Sequence, residues 1–202
     1  MMVLFVGPND LLSHRMRIAM GEKALPAEIH EIDVANPPPE MAELNPYSSV
    51  PTFVDRDLAI YDSRVIIDYL DERFQHPPLL PPNPVVRAQL RVALYRIERD
   101  WYGLFDKLNE GDVYAKNLLT TSLVSSAEIF RAQHYFMSDD FTIVDATIAP
   151  VLARLPGWGI TLPESAAPVL QYAKRVFARP SVAATLPLPQ STEAERALTT
   201  AR

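Results

Sequence analysis

Five prolines lie between Pro77 and Pro84, near the middle of a chain of 202 residues. Proline lacks the backbone donor and the φ freedom that regular structure needs, so this segment predicts a linker. The chain is long enough for two small domains that share an interface. We therefore predict a first domain over residues 1–74, a proline-rich linker over 75–84, a second domain over 85–186 and a frayed polar tail over 187–202.

Strand-like and helix-like patterns alternate before the linker. A short apolar run ends at Gly7-Pro8, Asp10 is placed to cap a helix, and Asn45-Pro46 closes a short helical segment. The longer predicted elements are a strand over Met2–Val6, a helix after Asp10, a strand over Glu28–Val34 with alternating burial, a β-hairpin over Ser49–Ile60 and a helix over Ser63–Arg73. This β-α-β-α-β-β-α order is typical of a thioredoxin-like domain.

The chain after the linker reads as entirely helical. Apolar residues at spacings of four, three, four, three and four predict one long helix with a single apolar seam: Leu90, Leu94, Ile97, Trp101, Leu104 and Leu108. Thr142 and Asp145 have the form of a capping box ahead of an apolar helix that runs to about Leu155. Further helices are predicted over Ala115–Gln133 and Pro163–Arg179.

Composition narrows the class of protein. The sequence contains no cysteine, which excludes disulfides, thiolate metal sites and cysteine nucleophiles, and nothing else suggests a metal site. The net charge of −6 argues against direct, sequence-specific DNA binding, because phosphate contacts usually need a basic field. No apolar run is long enough for a membrane span. We therefore expect a cytoplasmic protein whose partners are proteins.

Two sequence pairs suggest a binding site in the first domain. Pro51 follows Val50 at a strand start, where either a cis peptide that turns the Val50 backbone outward or an ordinary trans proline is compatible with the sequence. Asp62 and Ser63 begin a helix, whose N-terminus favours carboxylates. Asp62 either pairs with a ligand ammonium group or simply caps this helix.

Together with the element order, these pairs resemble the glutathione transferase fold, which joins a thioredoxin-like domain to a helical one. The resemblance implies that Val50 pairs with the cysteinyl part of glutathione and that Asp62 and Ser63 take its γ-glutamyl end. The capping box at Thr142 and Asp145 also resembles this fold. Glutathione is therefore the one cofactor that the resemblance suggests, and these residues are interpreted as a vestigial site for it.

The position that would activate the glutathione thiol argues against catalysis. No tyrosine precedes Tyr47, and Asp10 lies near where cysteine-type transferases place their nucleophile. A carboxylate beside a thiol disfavours the thiolate. Ser13 is the remaining candidate, and its other interpretation is an exposed or capping serine in the first helical turn. We expect no catalytic residue here.

A more specific resemblance is to the stringent starvation protein A family. It covers Ser13-His14 with Arg17-Ile18, Asn45-Pro46, Val50-Pro51-Thr52 with Val54-Asp55-Arg56, Tyr69 to Phe74 with His76-Pro-Pro-Leu79, and Arg96-Ile-Glu98 followed by Asp100-Trp101-Tyr102. The resemblance implies a homodimer without transferase activity. It also implies that RNA polymerase holoenzyme, including its sigma subunit, is the partner, in transcription regulation during starvation and acid stress.

The family also suggests a contact surface. Its loop reads Pro-His-Pro, whereas this chain has Gln75-His76-Pro77, so the first proline that would stiffen the loop is missing. The resemblance implies that His76, Pro77 and Pro78 contact the partner, and the simpler interpretation of His76 is a solvent-exposed loop histidine. Two other functions stay open: a glutathione-dependent transferase or isomerase that uses Ser13, and a scaffold of this fold with an unrelated partner.

Overall fold

A computed structural model describes residues 1–186, and the predicted tail over 187–202 lies outside these residues. The chain divides into two compact units, of which the first is Met1–Leu80 and the second begins at Pro81. The division falls inside the predicted linker. Leu79 and Leu80, however, are almost fully buried, at 1% and 3% exposure, so the middle of the predicted linker is packed into the first unit.

The first unit is built on a four-stranded mixed sheet in the order β2-β1-β3-β4. Strand β1 pairs in parallel with β2 and antiparallel with β3, with Leu4 opposite Phe53, and β3 pairs antiparallel with β4. The elements are β1 (Met2–Val6), α1 (Leu11–Glu22), β2 (Ala27–Glu31), α2 (Met41–Leu44), β3 (Thr52–Asp55), β4 (Leu58–Tyr61) and α3 (Ser63–Arg73). The predicted order and the thioredoxin-like fold are confirmed.

The core of the first unit is formed by the sheet and by α1 and α3, which pack against each other. Leu4 and Phe53 from the sheet, Met16 from α1, and Ile66 and Leu70 from α3 are all fully buried. The β3–β4 turn has Arg56 at a φ of 58°, in the left-handed region. The hairpin and the α3 helix therefore form where the sequence predicts them.

The second strand differs from its prediction. The strand β2 ends at Glu31. Of the three apolar residues expected to be buried, Ile32 is 8% exposed, whereas Ile29 and Val34 are 46% and 47% exposed. The strand β2 lies at the edge of the sheet, and its side chains are mostly exposed. The prediction of alternating burial over Glu28–Val34 is therefore wrong.

The second unit is helical. Its elements are α4 (Pro84–Asp100), a 3₁₀ helix (Tyr102–Leu104), α5 (Phe105–Asn109), α6 (Val113–Ser125), α7 (Ala127–Ala132), α8 (Ile143–Arg154), a 3₁₀ helix (Glu164–Ala166), α9 (Ala167–Phe177) and α10 (Pro180–Ala183). Helix α8 is central, since every residue from Ile143 to Leu152 is buried and it packs against α4 and α9. No helix among the described residues is long and apolar enough to cross a membrane.

The predicted single helix over Leu90–Leu108 is wrong, because α4 ends at Asp100 and a 3₁₀ turn separates it from α5. Trp101 lies at the break, is 5% exposed, and donates from Nε1 to Ser122 Oγ at 2.8 Å. A 3₁₀ turn changes the backbone hydrogen-bond pattern while leaving the same side chains facing inward. Apolar spacing therefore indicated the buried face but not the continuity of the helix.

Two other helix predictions need correction. The predicted helix over Ala115–Gln133 is interrupted at Ser126, whose hydroxyl donates to the Ser122 carbonyl at 2.8 Å, and serines commonly compete with helix backbone bonds in this way. The predicted helix over Pro163–Arg179 begins with a 3₁₀ turn. By contrast, the capping box at the start of α8 is confirmed. The side chains of Thr142 and Asp145 each accept a hydrogen bond from the backbone N–H of the other residue.

Candidate functional site

The first candidate site lies at the N-terminus of α1, where the chain leaves β1. Asp10 Oδ1 accepts the Ser13 backbone N–H at 2.7 Å, which makes Asp10 the N-cap of the helix. Ser13 is 1% exposed, and its Oγ accepts the Gly7 N–H at 2.9 Å. Ser13 is thus neither exposed nor a cap. Its hydroxyl satisfies a buried backbone donor and ties the helix to the end of the strand.

Gly7 and Asp10 approach each other closely. A Cβ added at Gly7 would lie 2.5 Å from Asp10 Oδ2 and 3.2 Å from Cγ2 of Val50. Oδ2 is buried and has no hydrogen-bond partner among the described residues. The group next to Val50 is therefore a carboxylate rather than a hydroxyl or thiol donor, and a carboxylate opposes the formation of a neighbouring thiolate.

The Val50-Pro51 peptide is cis, which decides between the two arrangements that the sequence left open. The segment before it is held by Asn45, which is fully buried. Asn45 Nδ2 donates to the Ser49 carbonyl at 3.1 Å, the Ser49 hydroxyl at 3.0 Å and Thr52 Oγ1 at 2.9 Å. Asn45 thus fixes the backbone that carries Val50. The sequence indicated Asn45 only as the end of a helical segment.

Asp62 begins α3 with a φ of 70°, and its Oδ1 accepts the Arg64 backbone N–H at 2.8 Å. The Arg64 guanidinium also donates to both carboxylate oxygens, at 3.1 Å and 2.7 Å. The hydrogen bond from the Arg64 side chain is the main reason that the pKa of Asp62 is lowered, and the positive charge of Arg15 contributes to it. Asp62 is therefore both a cap and one half of an ion pair, and a ligand ammonium group would compete with Arg64.

Ser63 is 2% exposed and its hydroxyl accepts a hydrogen bond from the Arg15 guanidinium. Arg15 is itself only 1% exposed, so a buried cation lies behind the start of α3. The structure thus connects α1 with Ser63 through Arg15, and it places Gly7, just before α1, close to the Val50 side chain. Ser13, Val50 and Ser63 lie around the same end of the sheet. Sequence reasoning missed Arg15, because nothing local marks a helical arginine as buried.

The second candidate site is the loop over residues 75–78. Gln75, His76, Pro77 and Pro78 are exposed, and the His76-Pro77 peptide is cis. The backbone of this loop is held from inside by Lys23, at the end of α1. Lys23 Nζ donates to the Phe74 carbonyl at 2.6 Å and to the Pro77 carbonyl at 2.9 Å.

Lys23 also forms a buried ion pair with Asp71. The Nζ lies 2.9 Å from Asp71 Oδ1, and the two side chains are 0% and 5% exposed. The same Oδ1 accepts the Leu79 N–H at 2.7 Å. Sequence reasoning missed both residues, which the chain separates by almost fifty positions. Among residues 1–186, no group of three or more acidic or histidine side chains is arranged to hold a metal ion.

Comparison with known proteins agrees with this architecture. Residues 12–78 match the family model described as the glutathione S-transferase N-terminal domain. A stringent starvation protein A homolog from Coxiella burnetii is 45% identical over 190 residues, which cover 92% of this chain and 91% of that protein. A second such homolog, from Haemophilus ducreyi, is 41% identical over 186 residues, covering 89% and 87%.

Enzymes are also among the similar proteins. A probable maleylacetoacetate isomerase from Caenorhabditis elegans is 32% identical over 165 residues, which cover 74% of this chain and 77% of that protein. Among solved structures, a glutathione S-transferase from Rhodospirillum rubrum superposes with a TM-score of 0.83 at 21% identity, covering 95% of this chain and 94% of that one. This likeness shows the transferase fold.

Proposed function

The chain belongs to the stringent starvation protein A family, and we propose that it is a transcription regulator that binds RNA polymerase without transferase catalysis. The proposed partner is the polymerase holoenzyme, including its sigma subunit, and the proposed location is the cytoplasm. The net charge of −6 supports a protein partner over direct, sequence-specific DNA binding. The named relatives at 45% and 41% identity support the family assignment on which the proposal rests.

The observation that carries the proposal is the construction of the 75–78 loop. Its side chains are exposed, while the backbone on both sides is bonded to the buried Lys23–Asp71 pair. A surface that is already ordered loses less entropy when a partner docks. His76 adds one group that can donate or accept a hydrogen bond. The loop therefore has the properties of a preformed contact rather than of a mere connection.

The first candidate site supports the absence of catalysis. The Ser13 hydroxyl is buried against the Gly7 N–H, and the group at the start of α1 is the Asp10 carboxylate. Neither arrangement supplies a free hydroxyl or thiol donor to stabilise a glutathione thiolate. Val50, Asp62 and Ser63 then form a vestigial glutathione site.

Homodimerisation is part of the proposal, and an apolar stripe on α4 supports it. Val85, Val92 and Tyr95 are 66%, 59% and 59% exposed and recur at helical spacing on one face of this helix. Only Leu90 and Ile97 of the helix are buried within the chain. A second copy of this chain would remove the exposed stripe from water, which is the usual driving force of such interfaces.

The central experiment measures binding of the full chain to purified RNA polymerase holoenzyme. His76→Ala is expected to weaken binding at least tenfold with an almost unchanged melting temperature, since exposed side chains contribute about 0.5 kcal/mol or less to folding. His134→Ala, at an exposed histidine of the second unit, is the matched control. Gln75→Pro, which restores the family proline, should keep or strengthen binding. Unchanged binding of His76→Ala would place the contact elsewhere.

The alternative is a glutathione-dependent transferase or isomerase that uses Ser13. It is favoured by the match to the transferase N-terminal model and by the similarity to a probable isomerase. A conjugation assay with glutathione and an aromatic chloride separates the two functions. Turnover well above the uncatalysed rate that disappears in Ser13→Ala would favour the enzyme, and co-purification with polymerase would favour the regulator over an unrelated scaffold.

A further inference from the structure

Lys23 has the geometry of a fully satisfied buried cation. An ammonium group has three N–H donors, and the structure places three acceptors around Nζ: the carbonyls of Phe74 and Pro77 and the carboxylate of Asp71. The distances are 2.6, 2.9 and 2.9 Å. A buried charge is tolerated only when it is paired and hydrogen-bonded in this way.

The backbone groups that Lys23 and Asp71 bind all lie within or beside one short segment. The Phe74 carbonyl precedes the exposed 75–78 loop, the Pro77 carbonyl lies within it, and the Leu79 N–H that follows it is bonded to Asp71. Lys23 itself is at the far end of α1, about fifty residues away in sequence. The ion pair therefore constrains the loop at its entrance, its middle and its exit.

We propose that Lys23 and Asp71 are positioning residues that hold the 75–78 loop in the conformation its partner binds, an inference that rests on the proposed function of this loop. The partner meets the exposed side chains, and the ion pair acts only through the backbone. The pair thus sets how strongly the loop binds by deciding how much of it is already ordered.

The identity of Lys23 matters for this role. Its single nitrogen directs three donors to acceptors on different sides, whereas the planar guanidinium of arginine directs its donors as a fixed fork. Arginine would keep the charge for Asp71 but would not fit the two carbonyls in the same arrangement. We therefore expect Lys23→Arg to keep the fold but to weaken partner binding.

The test variant replaces the pair as a unit. Breaking a buried ion pair by removing one partner leaves an unpaired charge, whereas replacing both partners by apolar side chains is often neutral for stability. In Lys23→Met/Asp71→Leu we expect a cooperative unfolding transition, hydrogen exchange of the Leu79 amide at least tenfold faster, and polymerase holoenzyme binding at least tenfold weaker. The matched control is Arg17→Met/Glu31→Leu, which removes the exposed 2.9 Å ion pair of the same unit.

The possible outcomes distinguish the positioning role of the ion pair from the role of the loop as the contact. If His76→Ala loses binding but the double variant binds normally, the positioning role is wrong and the loop contact stands. If both bind normally, the loop is not the contact, and the ion pair is then judged by Leu79 exchange alone: an unchanged rate overturns it. If the double variant does not fold, Lys23→Arg, which is expected to keep the fold, is measured instead, and wild-type binding of the holoenzyme overturns the proposal.

Discussion

The Tyr172 hydroxyl donates a 2.6 Å hydrogen bond to Oδ1 of Asp145, joining α9 to the start of α8. The same Oδ1 accepts the Phe136 N–H at 2.9 Å, and Oδ2 accepts the Thr142 N–H at 2.8 Å. Asp145 is fully buried. One carboxyl group therefore organises the segment before α8, the helix cap and α9.

Asp145→Ala is expected to be strongly destabilising. The substitution removes the capping box and leaves the buried donors of Phe136, Thr142 and Tyr172 without an acceptor. Each unsatisfied buried donor costs about 1 to 3 kcal/mol, so we expect the loss of three acceptor contacts to cost at least about 3 kcal/mol. Urea denaturation measures it. Tyr172→Phe, which removes one of these donors and leaves the carboxyl in place, should cost clearly less; equal losses would contradict this account.

The same carboxyl should give stability a pH dependence. Burial raises the pKa of Asp145 above its ordinary value of 3.8, against the lowering effect of its hydrogen bonds. The folded protein therefore holds this proton more tightly than the unfolded chain. The stability that results is fully present below the unfolded pKa and is lost as pH rises through the folded pKa.

We therefore expect the difference in unfolding free energy between the wild type and Asp145→Asn to decrease as pH rises from about 4. Tyr172 keeps its proton over this range, because burial and the neighbouring Asp145 charge raise its pKa well above the ordinary value. The measurement is urea denaturation of both proteins across the pH series. A difference that grows with pH would show that the hydrogen bonds outweigh burial.

Ser13→Ala should lower stability without changing turnover. The Gly7 N–H loses its buried acceptor, which costs about 1 to 3 kcal/mol. Conjugation of glutathione should stay at the uncatalysed rate in both proteins, because the hydroxyl serves the fold. Ser125→Ala, at an exposed serine of α6, is the matched control and should change neither quantity.

Glutathione should bind weakly or not at all. Both oxygens of Asp62 are bonded to Arg64, and the Asp10 carboxylate replaces the donor that a thiolate needs. Calorimetric titration tests this directly. A dissociation constant in the low micromolar range, equivalent to about 7 to 8 kcal/mol, would show that the site is functional rather than vestigial.

The protein should be a homodimer in solution. Light scattering is expected to give twice the chain mass of 22.7 kDa at micromolar concentration. Val92→Asp places a charge within the exposed stripe of α4 and should shift the mass towards that of one chain. Ile129→Asp, at a 40% exposed apolar residue of α7, is the control and should leave the dimer intact. A monomeric wild type would refute the dimer.

Local patterns in the sequence were sufficient for the order of elements. The strand Met2–Val6, the helix Ser63–Arg73 and the capping box at Thr142 depend on interactions within a few residues, so their signals are present in short stretches. The same short-range reasoning failed at Trp101 and Ser126, where α4 ends and α6 gives way to α7. Apolar spacing indicates which face of a helix is buried, but it does not indicate where the pattern of backbone hydrogen bonds changes.

By itself, the sequence determined the fold family and drew attention to Val50, Asp62 and Ser63. Only the tertiary structure decided how the polar residues are used: Arg15 bonds to Ser63 and Lys23 to Asp71, each pair about fifty residues apart. The physical reason is that a buried polar group loses its hydrogen bonds to water and must bond to whichever partner the fold brings near. Distance along the sequence does not indicate which residue that partner is. A lysine at the end of a helix looks the same in the sequence whether its side chain is exposed to solvent or buried and bonded to the backbone of a loop.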